Sequence, residues 1–307
     1  MNDLIIIGGG PAGVAAGVYA ARKRLKSVLV TEAFGGQSTD SLGVENWIGT
    51  EKISGIDLAH ALKAHLEAYK GDMVETVEGD RVEKLEKVEG GFMIQTRDGK
   101  EFSARAVLIA SGAARKKLQV PGADTFENKG VTYCASCDGP LFADQDVAVV
   151  GGGNAGLETA AQLLAYCKSV TLIHRHDMLK GDKITVERLS KHENFKTLCK
   201  SEPTEVLGEK FVSGLKAKNR DTGEEVTLPV TGVFVEIGVM PNTAFAKDVV
   251  ELDAVGRVVT DPKNQHTSVE GIWAAGDCTD ELYHQNNIAA GDAVKALEDI
   301  YQWLMAH

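Results

Sequence analysis

The sequence contains one pattern twice: a short apolar strand, glycines spaced G-x-G-x-x-G, an alanine-rich helix and a second apolar strand. The first copy, residues 3–32, reads DLIIIGGGPAGVAAGVYAARKRLKSVLVTE. Gly8 permits a tight turn, Gly10 lets the backbone approach a pyrophosphate, and Gly13 lets the helix pack closely on the strand. The helix N-terminus adds free N–H groups and a partial positive charge. The pattern predicts a dinucleotide site, with Glu32 at the second strand's end accepting hydrogen bonds from an adenosine ribose.

The second copy, residues 146–177, reads DVAVVGGGNAGLETAAQLLAYCKSVTLIHRHD. Its motif glycines are Gly151, Gly153 and Gly156. The second strand of this copy ends in HRH, residues 174–176, with no carboxylate at its tip. A basic residue there suits a 2′-phosphate, so this site is predicted to bind NADPH in preference to NADH. The alternative is that Arg175 is only a solvated surface arginine.

A hairpin follows each copy of the pattern. The first turns at Asp98-Gly99 and the second turns near residues 221–223. Both lead into an apolar strand that ends in glycine, at Gly112 and Gly238. The chain is therefore an internal duplication, which predicts two related domains that each bind a dinucleotide.

We predict an α/β fold with two Rossmann-like (three-layer ββα) dinucleotide-binding domains, the second inserted into the first. The last part of the chain supplies strands and a ligand-facing turn that the second domain does not require, which indicates the insertion. The predicted domains are 1–114 with 247–307, and 115–246. The opening segment, residues 1–21, has Asp3 where a secretory signal carries positive charge, so we interpret it as strand, turn and helix.

The segment YCASCDGPLF, residues 133–142, holds two cysteines with C-x-x-C spacing, Cys134 and Cys137. A zinc site usually needs a second such pair, and the sequence has none. A structural disulfide is rare in a cytosolic protein, and so short a loop gains little chain entropy. The third alternative, a redox dithiol, is favoured because this spacing lets the sulfurs bond and lowers the pKa of one thiol.

Asp138 follows the second cysteine directly and is predicted to be a proton donor and acceptor for the dithiol. The alternative is that it caps the following helix, and both roles are compatible. A dithiol beside two dinucleotide sites suggests an electron path from a nicotinamide through a flavin to the disulfide, and then to an external disulfide. This path predicts an NAD(P)H-dependent disulfide reductase.

Charge and cysteine content exclude several other classes. The formal net charge is −11 with no basic tract, so we expect no nucleic-acid partner. No apolar run approaches the roughly 20 residues that span a bilayer, so we expect no membrane insertion. Five cysteines, three of them scattered, do not suggest a secreted disulfide framework, so we expect a cytoplasmic location. We expect Cys167, Cys199 and Cys278 to be buried structural thiols rather than redox centres. No metal site is predicted.

The sequence closely resembles the low-molecular-weight thioredoxin reductase family, including the C-terminal part of the flavoprotein subunit of alkyl hydroperoxide reductase. The likeness covers essentially the whole chain. It is carried by GGGPAG (8–13), FGGQ (34–37), VENW (44–47), YCASCDGPLF (133–142), GGGNAGLE (151–158), IGVMPNT (237–243), AAGDCTD (274–280) and YHQNNIAAGDA (283–293). It implies FAD in the first domain, NAD(P)H in the second and a homodimer whose nucleotide domain rotates between two positions.

The resemblance also implies roles for individual residues. Cys137 would face the flavin, Cys134 would attack the substrate disulfide, and Asp138 would be the acid-base group. The FAD site would include Gly8, Gly10, Pro11, Ala12, Gly13, Glu32, Gly36, Gln37, Asn46, Gly112, Asp277 and Gln285, with Asn287 or Ile288 nearby. The nicotinamide nucleotide site would include Gly151, Gly153, Asn154, Ala155, Gly156, Arg175, His176, Lys180 and Gly238.

Two departures from the family pattern bear on the identity of the electron donor and of the electron acceptor. Where NADPH-dependent relatives carry H-R-R-x-x-x-R, this chain has HRHDMLK. NADPH is therefore the favoured electron donor, and NADH is the alternative. The hydroperoxide reductase subgroup carries an extra N-terminal redox domain, which this sequence lacks, so we expect a separate electron acceptor. That acceptor would be a thioredoxin or a small glutaredoxin-like carrier, or alternatively a peroxiredoxin system. A non-catalytic redox sensor is the alternative from another class.

Overall fold

The computed structural model of the protein describes residues 1–41 and 43–307 and divides into two compact units. Unit 1 comprises Met1–Asp40, Trp47–Ala114 and Met240–His307, and unit 2 comprises Ser41–Asn46 and Arg115–Val239. The chain leaves unit 1 after residue 114 and returns after residue 239. Unit 2 is therefore inserted into the sequence of unit 1.

The return to unit 1 comes earlier in the chain than the predicted boundary at residue 246. Residues 240–246 group with unit 1 because their polar and apolar groups find partners there. Asn242 donates a side-chain hydrogen bond to the carbonyl oxygen of Ser111 at 3.0 Å. Ala246 is fully buried in an apolar cluster that also contains Val250 and Val258.

The elements are numbered in chain order. The strands are β1 (Asn2–Ile7), β2 (Ser27–Thr31), β3 (Val74–Glu78), β4 (Val82–Val88), β5 (Gly91–Thr96), β6 (Glu101–Ile109), β7 (Ala113–Arg115), β8 (Val131–Thr132), β9 (Asp146–Val150), β10 (Ser169–Ile173), β11 (Phe195–Leu198), β12 (Ser201–Gly208), β13 (Val212–Asn219), β14 (Glu225–Leu228), β15 (Gly232–Val235), β16 (Val239–Pro241) and β17 (Ile272–Ala274). The helices are α1 (Pro11–Arg22), α2 (Gly55–Lys70), α3 (Ala135–Asp138), α4 (Asn154–Leu163), α5 (Lys183–Leu189) and α6 (Asn286–Ala306). Short 3₁₀ segments cover Gly36–Asp40, Gly139–Phe142 and Ala244–Ala246.

Unit 1 is built on one sheet with the strand order β3-β2-β1-β6-β5-β4, and β17 also pairs with β6. The strands β1, β2, β3, β6 and β17 run parallel, whereas β4, β5 and the first half of β6 are antiparallel. The long strand β6 therefore joins the hairpin to the parallel sheet.

The central parallel strands of unit 1, which are β1, β2, the second half of β6 and β17, are buried on both faces, which explains their nearly continuous apolar sequences. Because side chains alternate along a strand, Leu4 and Ile6 of β1 pack on one face with residues of α1 and α6. Ile5 and Ile7 point to the other face, where they join Phe92 of the hairpin strand β5. Burial of each such Leu or Ile side chain contributes roughly 1.5–3 kcal/mol to the free energy of folding, relative to an exposed side chain. The sheet is thus covered by helices on one side and by antiparallel strands and a connecting segment on the other.

Unit 2 repeats this arrangement with a five-stranded parallel sheet of order β11-β10-β9-β15-β8. Val147 and Val149 of β9 pack with Leu157 and Leu163 of α4. On the opposite face, Val150 joins a cluster formed with the separate three-stranded sheet β12-β13-β14. The order of layers is therefore antiparallel sheet, parallel sheet and helices, so the predicted α/β class with three-layer ββα units is confirmed.

The predicted hairpins are also confirmed. β5 and β6 are joined by a turn at which Gly99 has a φ of +80°. β13 and β14 are joined by a turn at which Gly223 has a φ of +75°. Both values lie in the left-handed region that glycine adopts most readily.

Candidate active site

In unit 1, three glycines at the junction of β1 and α1 form a cradle, with Gly13 in the first turn of the helix. Gly8 has a φ of +117°, and a Cβ there would lie 2.1 Å from the carbonyl oxygen of Ala110. A Cβ on Gly13 would lie 1.8 Å from the carbonyl oxygen of Gly8. In contrast, a Cβ on Gly10 would meet no atom within 4 Å among the described residues. Gly8 and Gly13 are thus required by packing inside the unit, whereas Gly10 borders open space.

Unit 2 repeats this geometry at the junction of β9 and α4. Gly151 has a φ of +126°, and a Cβ there would lie 2.1 Å from the carbonyl oxygen of Glu236. A Cβ on Gly156 would lie 1.9 Å from the carbonyl oxygen of Gly151. Around Gly153, the described part of the chain again leaves the Cβ position open. The two cradles therefore share one design, in which only the middle glycine borders free space.

Both cradles fit a pyrophosphate. The capping residues Gly10 and Gly153 make no side-chain hydrogen bond to the helices that follow them, and neither first turn carries an acidic side chain. Pro11 and Ala12 lie in the first turn of α1, and Asn154 and Ala155 lie in the first turn of α4. Backbone N–H groups and the helix dipole can thus bind an anion at each site.

Glu32 follows β2, as the prediction of a ribose acceptor requires. Its carboxylate pairs with the guanidinium of Arg97 at 3.2 Å, and Arg97 also donates to the carbonyl oxygen of Gly79 at 2.8 Å. Both side chains of the pair are about half exposed, at 56% for Glu32 and 42% for Arg97. The carboxylate is therefore oriented by a partner that the sequence pattern did not indicate.

The other residues predicted for FAD are distributed as follows. Gly36 and Gln37 lie in the 3₁₀ segment after β2, and the Gln37 amide donates to the carbonyl oxygen of Ala113. Gly112, with a φ of +65°, follows β6. Asp277 follows β17, and Gln285 caps α6, with Asn287 and Ile288 in its first turn. These residues belong to unit 1, whereas Asn46 groups with unit 2.

The end of β10 carries the residues predicted to select NADPH. His174 is buried, Arg175 is exposed and His176 is half-buried, with the Arg175 Nε donating to His176 Nε2 at 3.2 Å. Lys180 is held beside the cradle because its backbone N–H donates to the carbonyl oxygen of Gly152 at 2.8 Å. Burial, followed by the charges of Lys180, Arg175 and Arg220, lowers the pKa of His176. The loop is therefore an electropositive site, and an anionic ligand bound there would favour protonation of His176.

Cys134 and Cys137 form a disulfide, with their Cα atoms 5.3 Å apart. Cys134 caps the short helix α3, and the backbone N–H groups of Cys137 and Asp138 donate to its carbonyl oxygen at 3.3 and 3.0 Å. Both cysteines are only partly buried. The helical turn therefore brings the sulfurs within bonding distance, and the disulfide is the oxidised form of the predicted dithiol.

Asp138 lies at the end of the same helical turn. Burial raises the pKa of its carboxyl, while the hydroxyl of Thr132 and the charge of Arg115 oppose that rise. Thr132 donates its hydroxyl hydrogen bond to the Asp138 carboxylate and accepts one from the backbone N–H of Cys134 at 3.3 Å. Thr132 thus links the acid to the first cysteine. The carboxyl can hold a proton at a higher pH than an exposed aspartate.

Sequence reasoning missed three residues at this end of unit 2. Thr132 and Arg115 act on Asp138, and Arg115 also acts on Glu236. Burial raises the pKa of Glu236, whose carboxylate accepts a hydrogen bond from Thr159 at 2.9 Å. An acid at the end of the apolar strand GVFV was the one visible signal. The predicted Gly238 follows two residues later, with a φ of +107°.

The remaining thiols differ from the redox pair. Cys167 and Cys278 are buried, and burial raises the pKa of each to about 11. Cys199 is half-buried, and burial also raises the pKa of its thiol. Such thiols carry little thiolate at neutral pH, which suits structural rather than redox roles. Within the described ranges, no group of three or more His, Cys, Asp or Glu side chains could hold a metal ion.

Two Rossmann-like units, each with a glycine cradle, together with a C-x-x-C disulfide, define the class of dinucleotide-dependent disulfide oxidoreductases. The family model of pyridine nucleotide-disulphide oxidoreductases matches residues 2–293. The chain belongs to this family, which binds FAD and a pyridine nucleotide. Among the helices that the structure describes, none is long and apolar enough to cross a membrane.

Individual relatives agree with this placement. The crystal structure of thioredoxin reductase from Streptococcus pyogenes is 36% identical and covers 100% of this chain and 99% of its own, with a TM-score of 0.91. A subunit of the alkyl hydroperoxide reductase of Staphylococcus aureus is 38% identical over 303 residues, 99% of this chain but 59% of its own length. A Bacillus subtilis protein named NADH dehydrogenase is 37% identical over 99% of this chain and 58% of its own length. The resemblance to the thioredoxin reductase family is confirmed, and the chain spans less than two thirds of these two curated relatives.

Proposed function

We propose that the protein is a flavoprotein disulfide reductase that passes electrons from NADPH to the disulfide of a thioredoxin-like protein. The observation that carries the proposal is the presence, within unit 2, of both a dinucleotide cradle and the Cys134–Cys137 disulfide. Unit 1 supplies a second cradle, which we assign to FAD. FAD, when bound, supplies two-electron chemistry that links a nicotinamide to the disulfide.

The cysteines perform the outward half of the reaction. Reduction of their disulfide by two electrons, with uptake of two protons, gives a dithiol. The Cys134 sulfur then attacks one sulfur of the partner's disulfide and releases the other as a thiolate. Cys137 next attacks Cys134 in the mixed disulfide, which restores the internal bond and releases the partner's second sulfur. One disulfide is formed for each disulfide that is reduced.

Asp138 supplies the proton that this exchange needs. The released partner thiolate takes a proton, and an acid whose pKa is raised by burial holds one more readily than an exposed aspartate. The hydroxyl of Thr132 orients the carboxylate. The assignment of Cys134 as the attacking sulfur and Cys137 as the flavin-facing sulfur follows the family pattern.

A second candidate changes the donor and the acceptor. The relatives include a subunit of an alkyl hydroperoxide reductase and a protein named NADH dehydrogenase, which favours NADH as the donor and a peroxiredoxin system or glutaredoxin-like carrier as the acceptor. The basic loop at Arg175 favours NADPH. A non-catalytic redox sensor would not turn over a small disulfide. A homodimer, a cytoplasmic location and the roles of individual FAD residues stay predictions.

The test compares Cys137→Ser with Cys199→Ser, which removes a thiol of the same unit outside the redox pair. The FAD-loaded proteins are mixed with NADPH, and flavin bleaching and thioredoxin reduction are followed separately. We expect Cys137→Ser to keep flavin bleaching but to retain less than about 1% of disulfide reduction. Cys199→Ser should keep both. Thioredoxin reduction by Cys137→Ser at the wild-type rate would contradict the proposal.

A further inference from the structure

A basic cluster at the end of β10 draws on three separate segments of unit 2. His176 and its neighbours follow β10, Lys200 lies between β11 and β12, and Arg220 lies in the turn after β13. Only the first of these segments belongs to the sequence pattern that predicts an NADPH site. The other two are brought to it by the fold.

Backbone hydrogen bonds fix this meeting point. The N–H of Lys200 donates to the carbonyl oxygen of His176 at 2.7 Å, and the N–H of Ser201 donates to that of His174 at 2.9 Å. The N–H of Arg220 in turn donates to the carbonyl oxygen of Lys200 at 2.7 Å. The main chain at Arg220 is therefore tied, through one intermediate segment, to the end of β10.

The Arg220 side chain turns toward Arg175. Its Nη1 donates to the carbonyl oxygen of Arg175 at 3.4 Å, and its Nε pairs with the carboxylate of Glu202 at 3.4 Å. At this position the charge of Arg220 also contributes, after burial and the charges of Lys180 and Arg175, to the lowered pKa of His176. A guanidinium has five N–H donors, and these two contacts engage two of its three nitrogens.

A 2′-phosphate carries close to two negative charges and three acceptor oxygens, so one arginine satisfies it poorly. The motif supplies one guanidinium, from Arg175, and replaces the second arginine of the family pattern with His176. We infer that Arg220 provides the second guanidinium of the 2′-phosphate site and so helps to select NADPH over NADH. This inference rests on the proposed NADPH-dependent function.

The acidic neighbours of the cluster are Asp177, Glu202 and Asp221, and all three are exposed, so they oppose this role only weakly. Glu202 pairs with Arg220, but both side chains are about half exposed, at 51% and 47%. Asp221 pairs with Lys200 at 2.6 Å, also at the surface. Exposed ion pairs are worth at most about 1 kcal/mol, so a phosphate dianion that accepts two charge-assisted hydrogen bonds can compete with the Glu202 contact.

The experiment measures ligand binding rather than turnover. Isothermal titration of the FAD-loaded protein compares 2′,5′-ADP with 5′-AMP, which lacks the 2′-phosphate. The variants are Arg220→Gln and, as a charge-matched control, Lys210→Gln in the exposed turn between β12 and β13. We expect Arg220→Gln to bind 2′,5′-ADP about tenfold more weakly. Its affinity for 5′-AMP and both affinities of Lys210→Gln should stay within about twofold of wild type.

The outcomes separate the inference from the proposed function. A wild-type protein that binds both ligands equally would overturn the NADPH proposal and the inference with it. Selectivity for 2′,5′-ADP that persists in Arg220→Gln would overturn the inference alone. If Arg220→Gln bound both ligands more weakly by the same factor, the inference would also be overturned, because loss of a contact to the 2′-phosphate cannot affect the binding of 5′-AMP.

Discussion

Asp138 connects proton transfer to the redox pair because its carboxyl ends the helical turn that Cys134 begins. Burial of this carboxyl raises its pKa above the ordinary value of 3.8, despite the Thr132 hydrogen bond and the charge of Arg115. The protonated form therefore persists to higher pH than in an exposed aspartate. This favours proton donation to a departing thiolate.

We predict that Asp138→Asn slows reduction of the partner's disulfide by about 10²-fold while flavin bleaching by NADPH is unchanged. In the wild type, the rate should fall as the pH rises through the raised pKa of Asp138, because the proton donor is lost. The variant should lack this limb of the pH profile. Asp144→Asn, at an exposed loop position, is the control. If the rate of Asp138→Asn still fell over the same pH range, the proton donor would be another group.

The Asp138→Asn substitution should also change how the stability of the fold depends on pH. A carboxyl whose pKa is higher in the folded state stabilises the fold below its unfolded pKa and loses that contribution as the pH rises through its folded pKa. Asp138→Asn should therefore gain stability relative to wild type as the pH increases over this range. Thermal unfolding of both proteins at several pH values measures the difference.

At the scale of elements, each junction of strand, cradle and helix contains two kinds of glycine. The outer two are needed for folding, and the middle one is needed for binding. Gly156 approaches the backbone of Gly151 closely, whereas the Cβ position of Gly153 is open among the described residues. Gly153 also has an ordinary extended backbone, with a φ of −90°. Of these two glycines, Gly156 is therefore constrained by the protein itself and Gly153 is not.

We predict that Gly156→Ala destabilises the protein by about 1–3 kcal/mol, because its Cβ would overlap a carbonyl oxygen. Gly153→Ala should change the free energy of unfolding by less than about 0.5 kcal/mol but weaken NADP⁺ binding about tenfold by filling the space that a pyrophosphate needs. Denaturant unfolding and calorimetric titration measure the two quantities. The opposite pattern, with Gly153→Ala unstable, would contradict this division of roles.

The elements that were predicted correctly are those whose signals are local. β1, α1 and β2 were predictable because apolar strands, glycine spacing and an alanine-rich helix are consecutive in the sequence. The hairpin turns at Gly99 and Gly223 were predictable for the same reason. The order of layers followed from the duplication, since each parallel sheet needs cover on both faces.

What the sequence did not reveal depends on contacts between distant segments. Arg220 reaches the end of β10 only through the intermediate segment at Lys200. Arg97 meets Glu32 because the hairpin turn lies beside the end of β2. Arg115 acts on Asp138 although the two are far apart in the sequence, and no periodicity marks such a pair. The return of the chain after residue 239 was predicted a few residues too late, because the contacts that group residues 240–246 with unit 1 are made to segments distant in the sequence.

At the scale of the whole molecule, the duplication accounts for the proposed chemistry. Two cradles of the same design lie in two units, and the inserted unit adds a disulfide with its own acid. One cradle alone would explain nucleotide binding, and the disulfide alone would explain thiol exchange. Together they support a molecule that carries an electron pair from a nicotinamide to a protein disulfide.

The most direct test of this account is an anaerobic titration of the FAD-loaded protein with NADPH, in which flavin absorbance and free thiols are both measured. The wild type should take up about two hydride equivalents per chain, one for the flavin and one for the disulfide, and gain two thiols. Cys137→Ser should take up about one and gain none. If the wild type takes up only one equivalent and its disulfide stays intact, the proposed electron path is wrong.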